Sequence, residues 1–205
     1  MALVNYADLL SGVAAWLNRG SDLDARIPDF IKLAEAEFNR RLRTIEMEGR
    51  ATATLTGNAV AVPTDFIGLR SIKINTTLLD YVTPGELFDD ETTGGVPRTY
   101  TVSDGQFFFR PAPTTGTVTI DYFQNIPALT VSNTTNWLMT KHPDLYLFAT
   151  CAQAEVFIWN DDRLPLWKAR TEELIEQINK ATAKERYGGR RLTMRGRVTS
   201  VGILA

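Results

Sequence analysis

The chain has 205 residues and a formal net charge of −2, with 44% apolar and 22% charged side chains. That length buries enough surface for one large domain or two small ones, and the composition is that of an ordinary soluble globular protein. A single cysteine, Cys151, and a single histidine, His142, exclude an intramolecular disulfide framework and zinc sites built from several such ligands.

No apolar run approaches the roughly 18–20 residues that cross a bilayer, so no membrane contact is expected. The opening MALVNYADLL lacks a basic stretch and meets Asp8 early, so no secretory signal is predicted and the expected setting is cytosol-like. The small overall charge hides an asymmetry. Residues 184–205 carry six basic side chains and one acidic one, which leaves residues 1–183 with sixteen basic against twenty-three acidic.

Residues 4–46 are predicted helical. Tyr6, Leu9, Leu10, Val13 and Leu17 repeat at helical spacing behind Asn5, a suitable N-cap. After a break at Gly20-Ser21, a longer helix starts near Pro28, a residue suited to the first turn. Its predicted buried stripe is Ile27, Phe30, Ile31, Ala34, Phe38, Leu42 and Ile45, with Lys32, Glu35, Arg40 and Arg43 on the wet side.

At Gly49 the period becomes two. Residues 51–55 and 59–62, separated by Gly57-Asn58, read as a hairpin. Residues 69–74 alternate like a half-buried strand, and Thr83-Pro84-Gly85-Glu86 is a capping box opening a short helix. Strands are then predicted at 98–102, 106–110 and 117–124, the first two joined by a turn at Asp104-Gly105. Threonine richness and glycine turns argue for an antiparallel sheet or small barrel over about 50–130.

Helix returns after Trp137. From Pro143 one stripe holds Leu145, Phe148, Ala149, Ala152 and Val156, and a second holds Leu147, Cys151, Ala154 and Ile158. A helix apolar on two faces is covered from two sides, by its own bundle or by a neighbouring subunit. Asn160-Asp161-Asp162 forms the next turn. A last helix, 165–187, turns Trp167, Leu174, Ile175, Ile178 and Ala181 inward and Lys168, Glu172, Glu173, Glu176 and Lys180 outward. The predicted fold is α+β: an antiparallel bundle of about four helices with a β-sheet or small-barrel insertion and an extended C-terminal arm. The predicted domains are 1–48 with 137–187, 49–136, and 188–205.

Catalytic chemistry finds little support. His142 lacks an orienting partner and a nucleophile and reads as an exposed helix-start residue. Cys151 lies on an apolar stripe, as a structural thiol does. Asp89-Asp90-Glu91 and Asp161-Asp162 are adjacent acids in loops, the pattern of solvated turns and caps rather than of a carboxyl pair facing across a groove. Phosphate-loop signals are absent, and Phe107-Phe108-Phe109 alternates as core plus interface rather than as a base-stacking platform. No catalytic residue, cofactor or metal is expected.

The tail remains. Arg190, Arg191, Arg195 and Arg197 suit phosphates or the acids of another protein, or a frayed terminus. The apolar, β-branched finish from Val198 through Val201 and Ile203 to Leu204 suits a strand or groove of a protein partner.

Taken in order, Tyr6-Ala-Asp-Leu-Leu10, IPDFIKLAEAEFNRRLR, VPTDFIGLRSI, KHPDLYLFATCAQAEVFIWNDDRLPLWKARTEELIEQINKA and the basic tail resemble the head-to-tail adaptor (connector) proteins of tailed bacteriophages. The resemblance implies a non-enzymatic virion protein of the neck, made in the host cytoplasm. It would form a homo-oligomeric ring, usually dodecameric, beneath the portal protein, join it to a tail or nozzle protein, and continue the DNA channel used in genome ejection without gripping DNA. It also implies a portal-binding arm holding Arg190, Arg191, Leu192, Met194, Arg195, Arg197, Val198, Val201, Ile203 and Leu204. Leu147, Cys151, Ala154 and Ile158 would then serve bundle and inter-subunit contacts. Two rival readings are a nucleic-acid-binding module using the tail and a peptidoglycan-cleaving virion protein using Asp89, Asp90 or Glu91.

Overall fold

The computed structural model describes residues 3–187, apart from residues 56, 91, 93, 113, 114, 160 and 161. The predicted arm at 188–205 and the acids Glu91 and Asp161 therefore lie outside the described residues.

Helix α1 (Tyr6–Leu17) begins as its sequence dictates: Asn5 is extended and its side-chain oxygen accepts from the Asp8 N–H at 2.9 Å. It buries Leu9, Val13 and Leu17 and ends at Asn18 in the left-handed region. A 3₁₀ stretch leads into α2 (Ile27–Arg41), where Pro28 occupies the first turn. Ile27, Phe30, Ile31, Ala34 and Phe38 are buried as predicted, and Leu42 just past the helix is buried too.

Two expectations for this helix fail. Ile45 leaves the stripe, because the chain has turned into a short 3₁₀ segment by then, and it is largely exposed. Glu35 is buried rather than wet. The irregular segment 125–136 folds over this side of α2, and the Glu35 carboxylate accepts from the Leu129 N–H at 2.8 Å and the Tyr146 hydroxyl at 3.2 Å.

Eight strands follow in two four-stranded sheets: β1 (Glu48–Leu55), β2 (Ala59–Ala61), β3 (Phe66–Ile74), β4 (Thr77–Leu78), β5 (Asp80–Tyr81), β6 (Thr99–Ser103), β7 (Gln106–Arg110) and β8 (Gly116–Gln124). Their spatial orders are β1-β8-β3-β4 and β2-β7-β6-β5. The expected β1–β2 hairpin is therefore absent: β1 pairs with β8 along its whole length, while β2 pairs with β7. Ala51, Ala53 and Leu55 turn their apolar row toward a core that β8 shares, and the chain crosses to the other sheet at Gly57-Asn58, as strands do at sheet corners. The sheets are not wholly antiparallel, since β5 runs parallel to β6. The β6–β7 hairpin is as predicted, with Asp104 (φ 48°) and Gly105 (φ 67°) both left-handed in a two-residue turn.

Between the sheets lies one core of Leu55, Ile72, Ile74, Val118, Ile120 and Tyr122 from the first and Phe107 and Phe109 from the second. Helix α3 (Pro84–Asp89), capped by Thr83, packs on β6, and its Phe88 meets Phe108 edge-on.

Helices α4 (Trp137–Lys141), α5 (Pro143–Ile158) and α6 (Leu164–Tyr187) close the chain. α5 packs against α1, α2 and α6 in a larger core that also takes in Met47, Ile126 and Leu129. On α6, Trp167, Ile175 and Ile178 are buried and the predicted charged face is exposed, with Lys180 and Glu176 paired at 2.9 Å. Thr182 takes the inward position predicted for Ala181, which is exposed. The described residues thus form six helices and two sheets, an α+β structure with two hydrophobic cores.

Candidate functional site

Among the described residues, no group of three histidine, cysteine, aspartate or glutamate side chains is placed to hold a metal ion. His142 joins α4 to α5 and is half-buried rather than exposed; its loss of hydration lowers its pKa. Burial pushes the Cys151 thiol up to about 12, which leaves no thiolate to react at neutral pH. Asp90 is tied to the Thr92 hydroxyl and N–H, which hold its carboxyl below the usual range. That is the chemistry of a local turn.

The surfaces offer more. Leu147, Cys151 and Ala154 are buried within this one chain, and Ile158 packs against the same core. What α5 leaves bare is its last turn. Val156 is 52% exposed, Phe157 56% and Trp159 90%. Phe157 stacks at a tilt on Phe30 of α2, ring centres 5.5 Å apart, and Leu33 one turn further along α2 is also exposed. Val156 belongs to the first of the two predicted stripes, and it opens into the groove between α2 and α6 lined by Glu37, Gln153, Lys168 and Glu172.

The turn carrying Trp159 is braced. Arg163 donates to the Trp16 and Leu17 carbonyls at 3.3 and 3.2 Å, capping the end of α1, and pairs with the fully buried Glu155 at 3.0 Å. Trp159 itself holds φ 60°, a left-handed conformation at a helix end that usually falls to glycine. A bulky side chain there costs backbone energy, on the order of 1–3 kcal/mol. In this conformation Trp159 stands open to solvent.

A second surface lies where the helices meet the first sheet. Arg43, Arg70 and Arg186 all approach the Phe123 ring, their guanidinium carbons 5.8, 5.4 and 5.3 Å from its centre. Glu48 pairs with Arg70 and, at 2.8 Å, with Arg186, which also donates to the Arg43 carbonyl at 3.0 Å. An open polar groove of about 500 Å³ continues from here over Arg50, Ser71, Asp121 and Tyr122. Asp121 accepts from Arg50 at 2.6 Å and Ser71 at 2.7 Å, which hold its carboxyl below the usual range. Glu48 holds Arg70 and Arg186, and Arg43 donates to the Asn39 and Leu42 carbonyls, so the node serves as a clamp that keeps a positive charge. It fixes the end of α6, and with it the point from which the basic tail departs.

The predicted arm residues Arg190, Arg191, Leu192, Met194, Arg195, Arg197, Val198, Val201, Ile203 and Leu204 lie outside the described residues. The exposed end of α5 is missing from the sequence reading, although its signal is present: an apolar run around all sides of α5 continues to Trp159 after the core has been filled.

The family model described as SU10 adaptor protein matches residues 4–197. No curated protein matches the chain.

Proposed function

The chain belongs to the SU10 adaptor protein family of phage head–tail adaptors, as a structural component of the virion that meets other capsid or tail proteins, and on that footing we propose that it forms a ring beneath the portal. The ring joins the portal to the tail or nozzle proteins and continues the DNA channel. The observation that carries this reading is the extent of the match, which spans the helices, both sheets and the start of the basic tail.

Two features of the chain support the finer parts. The bare end of α5, with Val156, Phe157 and Trp159, provides apolar contact area of the kind found at the centre of stable interfaces. The tail leaves α6 at the arginine clamp, and its basic residues and apolar finish suit an arm that becomes ordered on the portal, where burial against the portal surface offsets the entropy lost on ordering. Display of many arms in one ring converts a weak single contact into a strong joint. The acidic body of residues 1–183 fits a passage along which DNA slides, because like charge gives the phosphates little to hold. In this role the protein carries out no catalysis and takes no cofactor.

The test is to mix the protein with its portal and image the complexes by electron microscopy, with and without residues 188–205. Full-length protein should decorate portals with closed rings, and the truncated form should lose most of that decoration. Normal decoration by the truncated protein would overturn the arm assignment. Absence of rings on the portal with the full-length chain would overturn the adaptor ring itself.

A further inference from the structure

The two sheets face each other across a shared core, so each has an outer face, and the outer faces differ in charge. On the first sheet Ala51, Ile120 and Ile72 point into the core, which turns their neighbours along each strand outward. Two cross-strand rows result: Arg50, Asp121 and Ser71, then Thr52, Thr119, Lys73 and, on β4, Leu78. The arginines gathered around Phe123 border the first row. This face holds Arg43, Arg50, Arg70, Lys73 and Arg186 against Glu48 and Asp121, five cations to two acids, although residues 1–183 carry seven more acids than bases. Glu48 and Asp121 are shared among the arginines, so a net positive charge remains on the surface.

On the second sheet Phe107 and Phe109 point into the core and Phe108 points the other way. Helix α3 covers that side: Phe88 meets Phe108 edge-on, and Thr101, opposite Phe108 in the register, is fully buried. Glu86 and Asp89 stand exposed on α3, Asp90 ends it, and Asp80 lies opposite Thr99 of β6. The cations here are Arg98 and Arg110, so this face has four acids to two cations among the described residues. Phe88 on this face and Leu78 on the other are both largely exposed.

We propose that the outer face of the first sheet in one copy docks on the α3 face of the second sheet in the next copy. Each face is then occupied by another copy of the same chain, and opposite charges surround an apolar contact made by Phe88 and Leu78. Like faces repel, which disfavours a two-fold pairing of either face with itself. The faces lie on opposite sides of the sandwich, so the contact is head to tail, and copies joined this way satisfy every face only when they close into a ring. The inference rests on the ring reading above and adds to the α5 contact a second one, between β-sandwiches. Salt should weaken it, because exposed charges are screened.

The test reverses the faces at outward positions, with T52E, T54E and K73E on the first sheet and E86K and D89K on α3. Each variant is followed alone, and the two in equal mixture, by sedimentation at low salt and by electron microscopy on the portal. Each alone should lose closed rings and self-associate about tenfold more weakly, since like charge then meets like. The mixture should regain rings in which the two kinds of subunit alternate, a recovery that also shows both variants to be folded. Rings formed by either variant alone as readily as by the unmodified chain would overturn the proposal and leave the ring reading standing. A mixture that fails to recover would overturn it too, and would assign the faces to a portal or tail protein. If the unmodified chain forms no rings in solution or on the portal, the ring reading falls and this proposal with it.

Discussion

The core among the helices takes polar and charged side chains inside, including Glu35, Asn136, Thr150 and Glu155, whereas among the described residues the core between the sheets buries only Thr101 of the polar ones. The difference follows from where backbone groups find partners. Strands satisfy their own N–H and C=O groups through ladders, so their inner faces can be wholly apolar. The helical core is roofed by the irregular segment 125–136, whose backbone has no ladder. Glu35 accepts from Leu129 N–H, Asn39 from Ile126 N–H, and Asn136 donates to the Pro127 carbonyl and to Tyr146. Glu35 and Asn136 therefore mark where irregular chain is fastened to helix, whereas Glu155 pairs with Arg163 and Thr171 bonds back within α6.

The largest effects should come from emptying either core. Phe38→Ala and Phe107→Ala each remove a fully buried ring, at a cost of about 3–5 kcal/mol in urea denaturation. Phe38→Ala should be the more damaging, because Phe38 also packs edge-on against Tyr146, 5.2 Å between centres, and so supports the polar fastening. If Phe107→Ala proved the worse, the contrast between the cores would lose its force.

Glu35 sharpens the comparison. Glu35→Ala should cost about 1–3 kcal/mol, chiefly because it orphans the Leu129 N–H, while Glu35→Gln keeps an acceptor and should be tolerated. Burial raises the Glu35 pKa, against the lowering effect of the Leu129 N–H. Its protonated form is thus favoured in the folded chain. The associated stability is complete below the unfolded value of about 4.3 and is lost as pH rises through the folded value. The stability of the unmodified protein relative to Glu35→Gln should fall across that window in urea titrations.

Trp159→Gly should leave the fold intact or stabilise it by about 1 kcal/mol, because glycine accepts the left-handed conformation without strain. Self-association measured by sedimentation should nevertheless weaken, and unchanged association would remove Trp159 from the proposed subunit contact. The smallest effect belongs to the polar face of the first sheet. Arg50, with help from Ser71, lowers the Asp121 pKa, so its contribution is present above the unfolded value of about 3.9 and is lost as pH falls through the folded value. Asp121→Asn should therefore flatten the acid end of the stability profile and change little at neutral pH.

What the sequence alone determined is local. Asn5 and Thr83 cap their helices, Pro28 opens α2, Asp104-Gly105 turns β6 into β7, and the switch of period at Gly49 marks the change from helix to strand. Each depends on neighbours a few residues away, so spacing and residue type suffice. The resemblance to phage head-to-tail adaptors, too, was legible as an ordered series of such phrases, and the SU10 adaptor model matches residues 4–197. Only the tertiary structure decided the rest. Thr52 pairs with Thr119 and not across a hairpin with residues 59–62, Glu35 is sealed by a segment some ninety residues away, and the apolar circumference of α5 is filled on three sides and bare at Trp159. The physical reason is common to all three. Alternation and amphipathicity say that a face must be covered, but many covers satisfy the same pattern, and the choice among them is made by packing between residues far apart in the chain.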